Sequence, residues 1–275
     1  MKTIIKEKIK ASVLIINFNN SKYINKCLTS LKNQTYKNFE IIFVDDKSTD
    51  NSILTLKKFI KKNKKLRINL IISKQKTKFG SFNQINCIKL GLEKCNGKYI
   101  FFLDSDDFYL KNKIYEVINF FKLNKKIIIT YDLPFKLIKG KKIKFKIKKR
   151  NKIFIPWPSF PSQSCIVVRK DYLNKIIKKL SLTKYPNVWF DFRLICKAFY
   201  DYNNIKFIDK YLTVYRQNIR GESIKFKKFN IKWWNRRGEA HNFMKQVVLQ
   251  HKKKNNFSFD YFITRFVNFL IPNEK

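Results

Sequence analysis

The first 110 residues alternate short apolar runs with segments of helical periodicity. Three of these runs are nearly continuous, and each is closed by Asn or Asp: Val13–Phe18, Phe39–Val44 and Tyr99–Leu103. Such runs are typical of parallel strands that are buried on both faces. Between the first two, apolar residues recur at helical spacing from Ser21 to about Asn33. The alternation predicts an α/β fold with an open, mostly parallel sheet.

The second half of the chain is less regular. Lys142–Lys148 alternates lysine with Ile or Phe, which predicts a half-buried antiparallel strand in a hairpin that turns at Gly140. A solvated face is the simpler interpretation of these lysines, and an anion-facing role is the alternative. Residues 154–163 are rich in proline and aromatic residues, which predicts a loop. We therefore divide the chain into regions 1–110, 111–224 and a helical C-terminal extension over 225–275.

The net charge is strongly positive, since 61 Lys and Arg against 19 Asp and Glu give +42. Such an excess is typical of proteins that bind nucleic acids or anionic membranes. A simpler interpretation is an AT-rich coding sequence, because Lys, Asn, Ile and Phe are all abundant. The five cysteines form no CxxC pair, which argues against a zinc site and fits a reducing cytosol. No segment approaches the roughly 18 apolar residues that span a bilayer, so we expect a soluble or peripheral cytoplasmic protein.

Acidic residues are scarce, yet six of the 19 lie in two short clusters after predicted strands. The clusters are Asp45, Asp46 and Asp50, and Asp104, Asp106 and Asp107. Ligands of open parallel sheets bind at the carboxyl ends of the strands, so we expect both clusters at one crevice. Converging carboxylates repel each other unless a cation compensates, and their oxygens suit Mg²⁺ or Mn²⁺ together with a diphosphate. Capping of the following helices or turns is the alternative.

These segments resemble the nucleotide-binding half of family-2 glycosyltransferases, which have the GT-A fold. The resemblance rests on SVLIINFNNSKYINKCLTSLKNQTYKNFEIIFVDDKSTDNS (Ser12–Ser52) and GKYIFFLDSDD (Gly97–Asp107), and it is looser to about residue 220. It implies a Rossmann-like, mostly parallel central sheet flanked by helices, with a smaller antiparallel element. Region 1–110 would bind the nucleotide-sugar, and region 111–224 would bind the acceptor and supply the catalytic base.

The resemblance also implies an activity. The protein would be an inverting, metal-dependent enzyme that moves a sugar from a nucleotide-sugar, expected to be a UDP-sugar, to a glycan or lipid-linked acceptor. The expected setting is the cytoplasmic assembly of a bacterial surface polysaccharide, with no nucleic acid as a partner.

Donor-binding roles follow from the same resemblance. Within the DxD motif Asp104-Ser105-Asp106, Asp106 would bind Mn²⁺ or Mg²⁺, and Asp104 would contact the donor ribose or the metal shell. Asp46 would accept the N3–H of uracil, a donor that cytosine lacks. Phe18 and Asn19 stand where the family usually has Tyr-Asn, so the Phe18 ring would lie along the base. Simple packing at the strand end is the alternative for Phe18.

Two later residues are further candidates for the site. Asp191 matches the family's catalytic base, which takes the proton of the acceptor hydroxyl, although Phe190 replaces the usual acidic neighbour. A helix cap is the alternative role for Asp191. Arg216, in the pair Tyr215-Arg216, is expected to reach the diphosphate, with a surface ion pair as the alternative. The family's Ala-Arg-Asn element has no counterpart here, and Lys78 is the expected substitute for its arginine.

Other interpretations stay open at this point. A nucleotidyltransferase is one, although no Gly-rich phosphate loop follows Phe18. A nucleic-acid-binding protein is another, although it has no need of the two acidic clusters. Near the C-terminus, one predicted helical face carries Phe259, Phe262, Ile263, Phe266 and Leu270. That face would contact an anionic membrane, or else pack against the catalytic domain or another copy of the chain.

Overall fold

A computed structural model describes residues 10–147, 156–201, 204–217, 225–251 and 258–271. Its strands are β1 (Ala11–Asn17), β2 (Phe39–Asp45), β3 (Ile68–Ile72), β4 (Tyr99–Asp104), β5 (Phe108–Tyr109), β6 (Ile129–Ile138), β7 (Lys141–Lys144), β8 (Ile166–Arg169) and β9 (Ile205–Arg216). Its helices are α1 (Ser21–Lys32), α2 (Ser52–Lys62), α3 (Gly80–Lys94), α4 (Lys113–Leu123), α5 (Lys170–Ile177), α6 (Phe190–Asp201), α7 (Ile231–Gln250) and α8 (Phe259–Leu270).

These strands form one sheet in the order β3-β2-β1-β4-β8-β6-β9-β5, with β7 paired to β6. Strands β3, β2, β1 and β4 are parallel to one another. Strand β8 runs antiparallel to both β4 and β6, and β7 is antiparallel to β6. The sheet therefore has a parallel N-terminal half and a smaller antiparallel part, as the sequence predicts.

Strand β1 is covered on both faces of the sheet. Val13 and Ile15 pack into the cluster that includes α1, whereas Leu14 packs into the cluster that includes α3. Gly97 lies directly against β1, since an added Cβ would come within 2.4 Å of the backbone of Ala11. A side chain at residue 97 would therefore push β4 away from β1 at the edge where their pairing begins.

The β6–β7 hairpin turns at Lys139-Gly140, where both residues have positive φ, 45° and 80°. This is the turn geometry that two-residue hairpins favour. The predicted hairpin is present, but its second strand covers only Lys141–Lys144, and those four residues are exposed. Ile143 is therefore exposed where the alternation predicts burial, whereas Phe145 and Ile147, which follow the strand, are partly buried. Lys148 lies outside the described residues.

Helix α7 packs on α6, and α8 packs on α7. Phe243 and Met244 of α7 share a buried cluster with Phe192 of α6. Helix α8 is joined to α7 by Asp260, which pairs with Arg237 and with His241 Nε2 (2.7 Å). In the part of the chain that the structure describes, no helix is long and apolar enough to cross a bilayer. The functional division into three regions stays a prediction.

Candidate active site

The two acidic clusters lie at one edge of the sheet, at the carboxyl ends of β2 and β4. The pairing register places Asp45 beside Asn17 of β1, and Asp104 beside Ile16. Because neighbouring strands are about 4.8 Å apart, these aspartates are about 10 Å apart across β1. The two predicted clusters therefore lie at the same edge of the sheet, on either side of β1, and we call the region between them the crevice.

Asp45 and Asp50 hold the backbone beside the crevice through hydrogen bonds. The Asp45 carboxylate accepts the backbone N–H of Ser48 (2.8 Å) and the side-chain amide of Asn17 (2.7 Å). Asp50 accepts the backbone N–H groups of Ser21 and Ser52, both at 2.9 Å, at the starts of α1 and α2. The capping alternative is therefore correct for Asp50, and Asp45 holds the turn after β2.

Asp46 differs from both of these aspartates because one of its oxygens lacks a partner. The residue is buried, and its Oδ1 has no hydrogen-bond partner among the described residues. Burial raises the pKa of the Asp46 carboxyl, and the nearby Lys76 ammonium acts in the opposite direction. Leaving a buried acceptor unpaired is costly, so this oxygen is suited to accept a hydrogen bond from a ligand.

Phe18 and Asn19 lie next to Asp46 at the crevice rim. The Phe18 side chain is 45% exposed, so its ring is not part of the core. The ammonium of Lys76 lies 3.6 Å from the centre of that ring. Asn19 has a positive φ of 52°, and its side-chain oxygen accepts the Thr49 N–H at 2.8 Å. The ammonium of Lys78 lies 5.3 Å from the centre of the Phe79 ring, and its role as the substitute for the family's arginine stays a prediction.

Asp104 and Asp106 form the second side of the crevice. Burial, followed by the charges of Asp106 and Asp191, raises the pKa of Asp104 to about 8. Burial also raises the pKa of Asp106, against the opposing charge of Arg216. Both carboxyls are therefore destabilised as anions, which is the condition that a bound cation would relieve.

Asp107 has a structural role. Its carboxylate accepts the Ser164 hydroxyl (2.6 Å) and the backbone N–H of Arg216 (2.7 Å). The Arg216 side chain donates from Nε to the Asp106 carbonyl oxygen at 3.0 Å and lies over the Tyr23 ring. The structure thus places Arg216 beside the DxD motif, while residues 218–224 after it lie outside the described part.

Asp191 lies in the first turn of α6, near enough to Asp104 for its charge to raise the pKa of that carboxyl. Its Oδ1 accepts the Phe192 N–H at 2.8 Å. Burial raises the pKa of Asp191, and the guanidinium of Arg236 lowers it. Asp191 thus takes part in starting the helix and also lies near the acidic pair.

Three residues at the site were missed by the sequence interpretation. Gln163 donates from Nε2 to Asp104 Oδ1 at 3.0 Å, and Ser164 accepts the Asp104 N–H at 3.0 Å. Both lie on a short 3-10 turn at the end of the predicted loop, about 60 residues from their partner. Arg236, on α7, is near enough to Asp191 for its charge to lower the pKa of that carboxyl. No local pattern distinguishes these residues from other polar residues of the chain.

The family model described as glycosyl transferase family 2 matches residues 12–202, well over half of the chain. This protein belongs to glycosyl transferase family 2. An uncharacterized glycosyltransferase of Haemophilus influenzae is 33% identical over 133 residues, 48% of this chain and 50% of that protein. The amylovoran biosynthesis glycosyltransferase AmsB of Erwinia amylovora is 37% identical over 106 residues, 38% of this chain and 34% of that protein. The matched part of the chain thus spans half or less of these relatives.

Solved structures of glycosyltransferases share the fold. A fragment of S. aureus TarS in complex with UDP-GlcNAc superposes with a TM-score of 0.65 at 17% identity, over 94% of this chain and 70% of that one. The mannosyltransferase PcManGT of Pyrobaculum calidifontis, in complex with GDP-Man and Mn²⁺, gives 0.61 at 11% identity, over 96% and 70%. These similarities confirm the predicted GT-A fold.

A metal ion bound in the crevice of this family-2 protein would have Asp104 and Asp106 as its protein ligands. Among the described residues, no three His, Cys, Asp or Glu side chains are gathered around one point. Asp104 and Asp106 supply two carboxylates, which is compatible with Mg²⁺ or Mn²⁺ because these ions commonly keep waters and bind phosphate oxygens of the substrate. The residues therefore fit a cation that arrives with a diphosphate.

Proposed function

We propose that the protein is a metal-dependent, inverting glycosyltransferase that transfers a sugar from a UDP-sugar to a hydroxyl of a glycan or lipid-linked acceptor. The observation that carries this proposal is the convergence of Asp46, the Asp104–Asp106 pair and Asp191 at one crevice of a family-2 fold. The family-2 match and the absence of a Gly-rich phosphate loop after Phe18 count against a nucleotidyltransferase, and a nucleic-acid-binding protein has no need of these carboxylates.

Asp46 and Phe18 support a uracil nucleotide. The unpartnered Asp46 Oδ1 fits the N3–H donor of uracil, whereas cytosine presents an acceptor at that edge. The exposed Phe18 ring beside it offers a face for the base. Solved neighbours hold UDP-GlcNAc in one case and GDP-Man in another, so the base preference of this chain follows from its own residues.

The acidic pair and Asp191 would have separate roles in the transfer reaction. A cation held by Asp104 and Asp106 would stabilise the negative charge that develops on the leaving diphosphate. Arg216 adds a fixed positive charge beside Asp106. Asp191 would accept the proton of the attacking hydroxyl. One base and one stabilised leaving group suffice for a single displacement, which inverts the anomeric configuration.

The Asp46→Ala variant tests the base assignment. We expect its UDP affinity, measured by calorimetry with Mn²⁺ present, to fall about 10- to 100-fold, because a hydrogen bond to a charged group is lost. Wild-type protein should bind UDP in preference to CDP and GDP. The matched control is Asp209→Ala, at an exposed position of β9. An unchanged UDP affinity, or GDP binding as tight as UDP binding, would contradict the assignment.

The proposal also places the protein at the cytoplasmic face of an anionic membrane, where lipid-linked precursors of surface polysaccharides are found. Helix α8 exposes Phe266, Phe269 and Leu270 by 65%, 85% and 62%. A helix with an aromatic apolar face binds at the lipid headgroup boundary, and a chain of charge +42 is attracted to anionic lipid. The name of AmsB, an amylovoran biosynthesis enzyme, supports a role in polysaccharide assembly.

The double variant Phe266→Ser/Phe269→Ser tests this contact. We expect its affinity for vesicles of phosphatidylglycerol and phosphatidylcholine to fall at least about tenfold, since two exposed rings no longer enter the lipid. Vesicle co-sedimentation measures the affinity, with Phe207→Ser at another exposed ring as the control. If the double variant bound vesicles normally but changed its sedimentation coefficient, the α8 face would be a contact between copies instead.

A further inference from the structure

Several exposed lysines lie on the surface beside the crevice, and none of them has a role in the proposed chemistry. Residues 133–147 contain six lysines and no Asp or Glu, and α1 contains three lysines and no acidic residue. The lysines of β7 and all three lysines of α1, Lys22, Lys26 and Lys32, are exposed. No acidic residue within either segment therefore offsets its positive charge.

The strand register ties these charges to the crevice. Arg216 of β9 pairs with Leu137 of β6, which pairs with Lys142 of β7. Paired residues of neighbouring strands point to the same face of a sheet, so Lys142 lies about 10 Å from Arg216 on that face. Lys144, two residues further along β7, shares the face.

Aromatic rings bring cations from separate elements together. Lys26 of α1 and Lys142 of β7 place their Nζ atoms 5.1 Å and 5.9 Å from the centre of the Phe108 ring. Lys144 Nζ lies 5.4 Å from the centre of the Tyr211 ring. These lysines thus lie on one surface built by α1 and by the β5, β7 and β9 strands. We call Lys26, Lys142 and Lys144 the lysine strip.

We propose that the lysine strip binds an acceptor glycan that carries phosphate or carboxylate groups. The inference rests on the proposed transferase function and specifies its acceptor. Lysine ammonium groups attract such anions without requiring a fixed geometry. Tyr211 packs on Phe135 with the ring centres 4.9 Å apart, and both residues are partly exposed, so they offer an apolar surface for sugar rings between the charges.

The position of the strip favours a glycan over other polyanions. The lysine strip lies beside Arg216, whose side chain donates to the Asp106 carbonyl oxygen. A glycan chain bound along the strip would therefore end at the crevice of Asp104, Asp106 and Asp191. A glycan can present a neutral hydroxyl at that end. A nucleic acid in the same path would bring a regularly spaced backbone phosphate toward the Asp104 and Asp106 carboxylates, which repel it.

The test compares polymer binding with donor binding. The variant Lys26→Gln/Lys142→Gln/Lys144→Gln is matched by Lys57→Gln/Lys61→Gln/Lys64→Gln, which removes equal charge from and just after α2, where those lysines are exposed. The fluorescent probes are phosphorylated dextran, oligogalacturonate and neutral dextran of similar length, with single-stranded oligo-dT and phosphatidylglycerol vesicles as competing classes. Anisotropy reports polymer binding, co-sedimentation reports vesicle binding, and calorimetry with Mn²⁺ reports UDP binding.

We expect wild-type protein to bind one or both anionic glycans but not neutral dextran, and the strip variant to lose at least about tenfold in that affinity. The α2 variant should lose much less, and both variants should bind UDP normally. Phosphorylated dextran and oligogalacturonate distinguish phosphate from carboxylate recognition. Equal losses in the two variants, or tighter strip-dependent binding of oligo-dT or vesicles, would overturn the inference. Failure of wild-type protein to bind UDP would instead count against the proposed function.

Discussion

The Asp106→Ala variant is expected to lose metal-stimulated binding of UDP and to lower kcat/KM for transfer about 10³-fold. Asp104 and Asp106 are the two carboxylates available to a cation in the crevice, and removing one leaves a single protein ligand. A cation held there would stabilise charge on the leaving diphosphate, an effect worth several kcal/mol of the barrier. Calorimetry of UDP with and without Mn²⁺ measures the binding, and release of UDP during transfer measures the rate.

Thermal unfolding separates this role from a structural one. Burial raises the pKa of Asp106, and burial followed by the charges of Asp106 and Asp191 raises the pKa of Asp104 to about 8. A carboxyl whose pKa is raised by folding contributes stability at low pH and loses it as the pH rises through that pKa. At neutral pH the Asp106→Ala variant should therefore be as stable as wild-type protein or more stable. A lower Tm together with unchanged metal-stimulated UDP affinity would contradict the metal-binding role.

The parallel half of the fold could be predicted because its signal is local. Strands β1, β2 and β4 have apolar residues on both faces, which is the pattern of a strand covered on both sides. Each of these strands ends at an Asn or Asp beside the crevice. Alternation in β7 was equally clear, yet the strand is exposed, because a period of two shows which residues share a face and not whether anything covers it.

The site could be predicted from the sequence only in part, because some of its side chains come from distant parts of the chain. Asp46 and Asp104 follow strands and could be placed from the sequence, whereas Gln163 reaches Asp104 across about 60 residues of chain. The position of Lys76 beside Phe18 shows the same limit. Lys76 and Lys78 both precede α3 in a segment without periodicity, so the sequence does not show which one turns toward Phe18.

The Asp191→Asn variant is expected to bind UDP as wild-type protein does, but to transfer sugar about 10²- to 10⁴-fold more slowly, because the acceptor hydroxyl loses its general base. Asparagine keeps the size of the side chain and an oxygen that can accept the Phe192 N–H, as Asp191 does at 2.8 Å. A residue needed only to start α6 would tolerate this change, so full transfer activity in the variant would eliminate Asp191 as the base. The control Asp171→Asn makes the same substitution in the first turn of α5.

The pH profile of transfer gives a second test of Asp191. Burial raises the pKa of its carboxyl, and the charge of Arg236 opposes that effect. A general base must be ionised, so kcat/KM of wild-type protein should fall as the pH decreases through the raised pKa of Asp191. Replacing Arg236 with Met removes the opposing charge and should move this acid limb to higher pH. The residual activity of Asp191→Asn should show no such limb, because the group that titrates there is gone. A limb retained in Asp191→Asn would assign the titration to another carboxyl of the crevice.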